Sequence, residues 1–232
     1  MSGILILTAV DLEARALARH LELAALSSAS GVVYGRGAVR VATIGLGALL
    51  LTERGARLRQ GLERPLVVSA GVCAGLDPML RAGDVILPGS VLGPSGELHN
   101  VTPDPHRAAR DHAASTGPLV TVEDIVSTPE DKAELFARTG AVAADMESVF
   151  ILSWAAAAGC PCLVVRGVSD VADETLPREL PGLLTSDGRL DLGRALAFGV
   201  TRPSVVPRAI ALGRATATAL HAVGRVLGTL AA

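Results

Sequence analysis

Three acidic positions stand where this chain can do chemistry. Glu13 falls just past a short apolar run, residues 4–9. Asp145-Met146-Glu147 sits where a strand-like segment gives way to a helix-like one. Ser169-Asp170 follows the apolar run 164–168. In α/β proteins ligands gather where strands end and loops begin. A carboxyl group at such a place can give or take a proton. Each acid can equally be structural, because an acid at a helix start commonly caps it or pairs with its dipole. For Asp145 that structural role is the expectation.

The elements that must hold these acids follow from the apolar pattern. Residues 4–9 read as a buried strand. Residues 11–26 show helical spacing, with Leu12, Ala16, Leu17 and Leu21 on one face. Residues 32–34, a turn at 35–37 and residues 39–44 read as a hairpin. Gly45 and Gly47 break the chain before a helix over residues 48–62. Pro65 opens a strand over 66–70 that runs into the glycine-containing segment 71–75, and 84–87 is a further strand. Residues 88–105 are rich in Gly, Pro, Ser and Asn and read as a long loop, a kind of segment that is often functional. Helix and strand alternate over 107–146. Residues 147–158 form a helix ended by Gly159, and 163–168 form the last clear buried strand. This alternation predicts an α/β fold: one domain over residues 1–232, with a central mixed sheet flanked by helices. An extended C-terminal segment covers 174–232. Pro177, Pro181 and Pro203 break it up, 183–189 reads as a turn-bearing excursion, and Pro207 leads into a helix reaching about residue 230. In that helix Ile210, Ala217, Leu220 and Leu227 are interleaved with Arg208, Arg214 and Arg225.

Bulk properties narrow the function. The chain has 232 residues and is 50% hydrophobic but 2% aromatic, so its core must be aliphatic, as in helix-covered parallel sheets. A formal net charge of -2 gives no basic excess to neutralise phosphates, so no nucleic-acid partner is expected. Cys160-Pro161-Cys162 looks like half a metal site, yet no second Cys or His pair stands at zinc-like spacing, and the histidines are scattered. No metal is expected, and the two thiols read as buried neighbours of a strand. Residues 71–75 lack the full dinucleotide fingerprint and its acidic partner, so no cofactor is expected. Neither a signal peptide nor a bilayer-spanning stretch is legible, which gives a cytoplasmic expectation.

Read together, the segments carry a resemblance. Residues 70–78, followed by Arg81-Ala82-Gly83-Asp84-Val85, resemble the glycine-rich ribose-site segment of the purine and uridine nucleoside phosphorylase superfamily. Asp145-Met146-Glu147-Ser148 resembles its ribose-binding motif. Arg166-Gly167-Val168-Ser169-Asp170-Val171-Ala172-Asp173 resembles the motif carrying its catalytic aspartate. The resemblance covers about residues 3–173. It implies cleavage of a C–N glycosidic bond, which builds positive charge on the sugar and negative charge on the base. Asp170 would be the general acid at purine N7, kept protonated because burial raises its pKa. Glu147 would accept hydrogen bonds from the ribose hydroxyls, with Met146 packed against the sugar. Gly71, Val72 and Ser169 would border the nucleoside, and the 122–127 segment, through Asp124, Ile125 and Val126, would border the base. A dimer or larger assembly is also implied.

The superfamily holds enzymes that use water and enzymes that use phosphate. Its phosphate users generally place arginines where this chain has Glu13 and Ser69, and a carboxylate there repels phosphate. In methylthioadenosine/S-adenosylhomocysteine nucleosidases a glutamate at the place of Glu13 acts as the base for water. The resemblance therefore implies hydrolysis, with Arg36, Arg40 or a neighbouring subunit's arginine as the route by which phosphate could still be held. Val72 replaces a small polar residue of those nucleosidases, and Val126 replaces an aromatic that would stack on adenine. Asp145-Met146-Glu147-Ser148, together with Leu176-Pro177, Asp187-Gly188-Arg189 and the Arg202-Pro203 lead into a long helix, resembles the hopanoid-associated branch, which implies an adenosylhopane-type lipid nucleoside as substrate. Methylthioadenosine/S-adenosylhomocysteine or futalosine nucleosidase, a phosphate-dependent purine nucleoside phosphorylase, and a nucleoside-binding sensor are the other readings. The basic, apolar C-terminal helix would suit peripheral membrane contact or simply cover the sheet.

Overall fold

A computed structural model of the chain describes residues 3–26, 32–103, 109–176 and 206–231. The turn-bearing excursion at 183–189, including Asp187-Gly188-Arg189, lies outside the described residues, as do Pro177 and Arg202-Pro203.

The fold is the expected α/β one, built on a mixed sheet. Its strands are β1 (Ile4–Thr8), β2 (Ala24–Leu26), β3 (Val33–Arg36), β4 (Val39–Thr43), β5 (Leu66–Gly75), β6 (Val85–Ile86), β7 (Ser90–Leu92), β8 (Leu98–Asn100), β9 (Leu119–Thr121), β10 (Ala143–Asp145) and β11 (Cys162–Asp170). The described helices are α1 (Asp11–His20), α2 (Leu51–Leu58), α3 (Pro129–Thr139), α4 (Ser148–Ala157) and α5 (Val206–Ala231). Strand order is β2-β3-β4-β1-β5-β10-β9-β7-β8, with β11 on β5 and β6 on β11.

Alternation along the strands sorts the core into two faces. Leu5 and Leu7 of β1 join Val164, Ile151 and Leu152 on the face covered by α2 and α4. Ile6 joins Val68, Val165, Leu17 and Val223 on the face covered by α1 and α5. Helix α5 packs directly on β11 and α1. Its approach is close enough that a Cβ on Gly167 would lie 2.7 Å from the Ala219 carbonyl oxygen, so that strand position needs glycine.

Strand β5 forks the sheet, and the fork makes the site. One edge pairs with β11 along its length, from Val67 to Ala74. The other edge pairs with β1 through Ser69 and takes up β10 only at Ala74. Residues 70–73 therefore face an opening between the end of β1 and the end of β10. This is a topological switch point, the place where α/β folds bind ligands.

Three sequence expectations are corrected. The first helix stops at His20, and residues 24–26 form the edge strand β2 on β3, since the positive φ of Glu22 (54°) turns the chain back. The helix expected over 48–62 is shorter, a single tight turn at Leu46–Ala48 followed by α2. The long loop 88–105 contains the β7–β8 hairpin, closed by a turn at residues 93–97.

Candidate active site

Glu13 opens the site. It lies in the first turn of α1, directly after β1, and is buried. Its Oε2 accepts hydrogen bonds from the Ala9 and Val10 amides at 3.1 and 3.2 Å, so it caps its own helix. Its Oε1 accepts from the Val72 amide at 2.9 Å, across the fork. Three of roughly four lone-pair directions are thus used, leaving one for a small donor such as water. Gly71 is what lets the carboxylate come so near: a Cβ there would lie 2.5 Å from Glu13 Oε1 and 2.6 Å from an Arg166 guanidinium nitrogen. Burial raises the Glu13 pKa, with Arg166 and the three backbone amides opposing the shift.

Arg166 sits at the centre of a buried cluster of carboxyl and hydroxyl groups, and the sequence reading gave it no role. It projects from β11 and is 1% exposed. Its Nη2 lies 2.6 Å from Asp145 Oδ2, 3.7 Å from Glu147 Oε2 and 2.9 Å from Ser69 Oγ. Ser148 Oγ is 3.1 Å from Ser69 Oγ and also bonds Asp145. Asp145 accepts from Thr121 Oγ1 at 2.8 Å and from the Ser148 amide at 3.1 Å, so the expected structural role at the start of α4 holds and extends to anchoring Arg166. The signal in the sequence was a lone arginine inside an apolar strand, since a buried charge needs partners.

Glu147 accepts from the Gly47 amide at 3.0 Å. Burial pushes its pKa up to about 8; Arg166 works against the shift, while Asp145 and Glu13 add to it. One guanidinium among three buried carboxyl groups leaves this side short of positive charge.

Asp170 ends β11 after a register shift between Val168 and Asp170, a bulge of the kind that re-aims a side chain next to a site. Ser169 Oγ lies 2.8 Å from Asp170 Oδ1 and 3.2 Å from the Cys73 carbonyl, with one proton to donate between them. Asp170 is buried, as expected. It is not alone: Lys132 Nζ, from α3, lies 2.7 Å from Asp170 Oδ2. The sequence reading did not name Lys132, because its neighbours Glu130, Asp131 and Glu134 make that stretch look solvated.

Glu13, Asp145, Glu147, Ser169 and Asp170 line one pocket of about 230 Å³, with Arg166 and Lys132 behind its wall. Its wall includes Glu13, Val72, Met146, Glu147, Ser169 and Asp170, with Ile125 and Val126 from the 122–127 segment. Leu46, Leu176, and Leu212 and Thr216 of α5 add to it; no sequence pattern pointed to these four as pocket residues. Two expected contacts fall elsewhere. Asp124 is exposed and lines a separate open cleft of about 750 Å³. Gly71 does not line the pocket and acts as the space between Glu13 and Arg166. Arg36 reaches the exposed Glu22, and Arg40 donates to the Leu58 and Gln60 carbonyls, so neither is near the pocket wall. Cys160 and Cys162 are buried thiols, as expected. Among the described residues no group of His, Cys, Asp and Glu is arranged to hold a metal ion. No described helix is long and apolar enough to cross a membrane.

A sequence match to the family described as the phosphorylase superfamily spans residues 4–189. The chain belongs to that superfamily. Solved structures share the fold. The Neisseria meningitidis 5′-methylthioadenosine/S-adenosylhomocysteine nucleosidase in complex with methylthio-immucillin-A is similar with a TM-score of 0.73 and 18% identity, over 99% of this chain and 98% of that one. A Helicobacter pylori nucleosidase mutant with 5′-methylthioadenosine in its active site gives 0.71 and 17%, over 98% and 96%. The Helicobacter pylori futalosine hydrolase gives 0.72 and 15%, over 99% and 97%. No curated protein matches the sequence.

Proposed function

We propose that this superfamily member hydrolyses the N-glycosidic bond of an adenine nucleoside. The observation that carries the reading is the convergence of Glu13, Glu147 and Asp170 on one pocket at the fork of the sheet. In the reaction the C1′–N9 bond breaks and its electron pair goes to the base. Asp170 gives a proton to N7 of the departing base, and Glu147 holds the ribose hydroxyls. A water oxygen bonds C1′ while its proton passes to Glu13. The sugar cation forms beside the carboxyl-rich side of the pocket, where its charge is opposed at short range. Water is favoured over phosphate because a carboxylate occupies the position and Arg166, the nearby cation, already answers to Asp145 and Glu147.

The substrate reading is an adenosylhopane-type lipid nucleoside, as in hopanoid synthesis. Aliphatic walls support it, with Val126 on the base side and Leu46, Leu176 and Leu212 elsewhere. A pocket of about 230 Å³ is small beside drug-sized pockets of about 300–1,000 Å³, so a long 5′ chain must lie mostly outside it. The likeness to the two kinds of nucleosidase above keeps methylthioadenosine, S-adenosylhomocysteine and futalosine as the comparison set. The test is base release from those nucleosides, from adenosine and from a 5′-alkylated adenosine with a long apolar chain. The account expects the long-chain nucleoside to give the highest kcat/KM. Preference for methylthioadenosine would overturn the lipid reading, and release from none would overturn the glycosidase reading.

A further inference from the structure

Lys132 is fully buried, and all three of its ammonium protons have acceptors. Asp170 Oδ2 lies at 2.7 Å, the Val171 carbonyl at 2.7 Å and the Glu174 carbonyl at 3.0 Å. A neutral amine has only two N–H donors and would leave one of these oxygens facing a lone pair. Three acceptors around Nζ match the three donors of an ammonium, so the geometry gives Lys132 the role of a fixed hydrogen-bonding anchor.

Its position is a poor one for stability. Thr128 caps α3 and Pro129 is its first residue, so Lys132 sits in the opening turns, at the end of the helix that disfavours cations. Burying an ion pair is often no better than packing apolar side chains in the same space. The same lysine joins three parts of the pocket wall. It fixes Asp170, it holds the segment 171–174 that leads to Leu176, and Leu176 donates in turn to the Ser127 carbonyl next to Val126. Those parts belong to the side of the pocket that the functional reading gives to the base.

We propose that Lys132 is a positioning residue that acts through Asp170, and this rests on the glycosidase reading above. It aims the carboxyl group into the pocket. It also stabilises the carboxylate left behind when Asp170 has given its proton to the leaving base. Asp170 takes up a proton from solvent before the base leaves, and once that proton has passed to N7 the carboxylate meets Lys132 Nζ in a contact already built at 2.7 Å. A proton passes from Asp170 to N7 and none leaves Lys132.

The experiment compares two leaving groups in Lys132→Met, Lys132→Arg and Asp170→Asn. One substrate is the adenine nucleoside that the wild-type chain turns over, and the other is p-nitrophenyl β-D-ribofuranoside, whose nitrophenolate departs without a proton. With the adenine nucleoside, Lys132→Met should lose kcat by on the order of 10²-fold, within the range that general acid catalysis supplies, with KM little changed. With the nitrophenyl riboside the loss should be only a few-fold, and Asp170→Asn should show the same selectivity. Lys132→Arg, which keeps the charge, should recover most adenine release, and Lys132→Met/Asp170→Asn should be no worse than Asp170→Asn alone. Equal losses on both substrates in Lys132→Met and Lys132→Arg would overturn the inference and leave the glycosidase reading standing, as would unimpaired adenine release by Lys132→Met. No base release by the wild-type chain would overturn both.

Discussion

The two sides of the pocket solve the burial of charge in opposite ways. On the side proposed for the sugar, Glu13, Asp145 and Glu147 share Arg166 as their one cation among the described residues. On the base side Asp170 has Lys132 to itself. The first arrangement is short of positive charge, and in the proposed reaction it would face the part of the nucleoside that becomes a cation. The second is balanced, and it would face the part that leaves as an anion and needs a proton. Both sides hold a carboxyl group with a serine hydroxyl, so residue type alone does not distinguish them. The difference lies in how many carboxyl groups each buried cation serves.

Removing the shared cation should have the largest effect. Arg166→Met would leave three buried carboxyl groups without it. Breaking a buried pair in this way costs about 3–5 kcal/mol. The account expects a large drop in the urea midpoint at pH 8. A smaller drop is expected at pH 5, where Glu13 and Glu147 can take up protons instead. An equal drop at both values would mean that Arg166 is needed for packing and not for charge.

A smaller effect sharpens the same contrast. Glu147 has its pKa raised to about 8 in the folded chain, against 4.5 as the ordinary value. The folded state therefore holds that proton more tightly than the unfolded state does. Its contribution is fully present below about pH 4.5 and is lost as pH rises toward 8. Glu13 is shifted in the same direction. The melting temperature of the ligand-free protein should fall between pH 5 and pH 8, and Glu147→Gln should flatten that fall. Unchanged pH dependence in the variant would show that the sugar side is not short of positive charge.

Much of this was legible in the sequence because apolar runs and their breaks mark buried strands. β1, β4, β5, β11, α4 and α5 were all placed to within a few residues, and Glu13, Glu147 and Asp170 line one pocket. What was missed has physical reasons. Ala24-Ala25-Leu26 continues a helical spacing and so hid an edge strand, all three residues being exposed. The β7–β8 hairpin consists of three-residue strands in a stretch whose Gly and Pro content marks a loop. Glycines read as the end of β5 lie inside it, because β5 changes neighbours there. Lys132 carries no local signal, since the oxygens that bind it come from residues 170–174, far along the chain. Leu212 and Thr216 reach the pocket only because α5 folds back over β11.

The central claim is that water, not phosphate, attacks the sugar from the Glu13 side. The direct measurement is analysis of the sugar product after adenine release, in phosphate-free buffer and again with added phosphate. The account predicts release at the same rate in both, with a free anomeric hydroxyl on the sugar. A strict requirement for phosphate, with the sugar 1-phosphate as product, would contradict it.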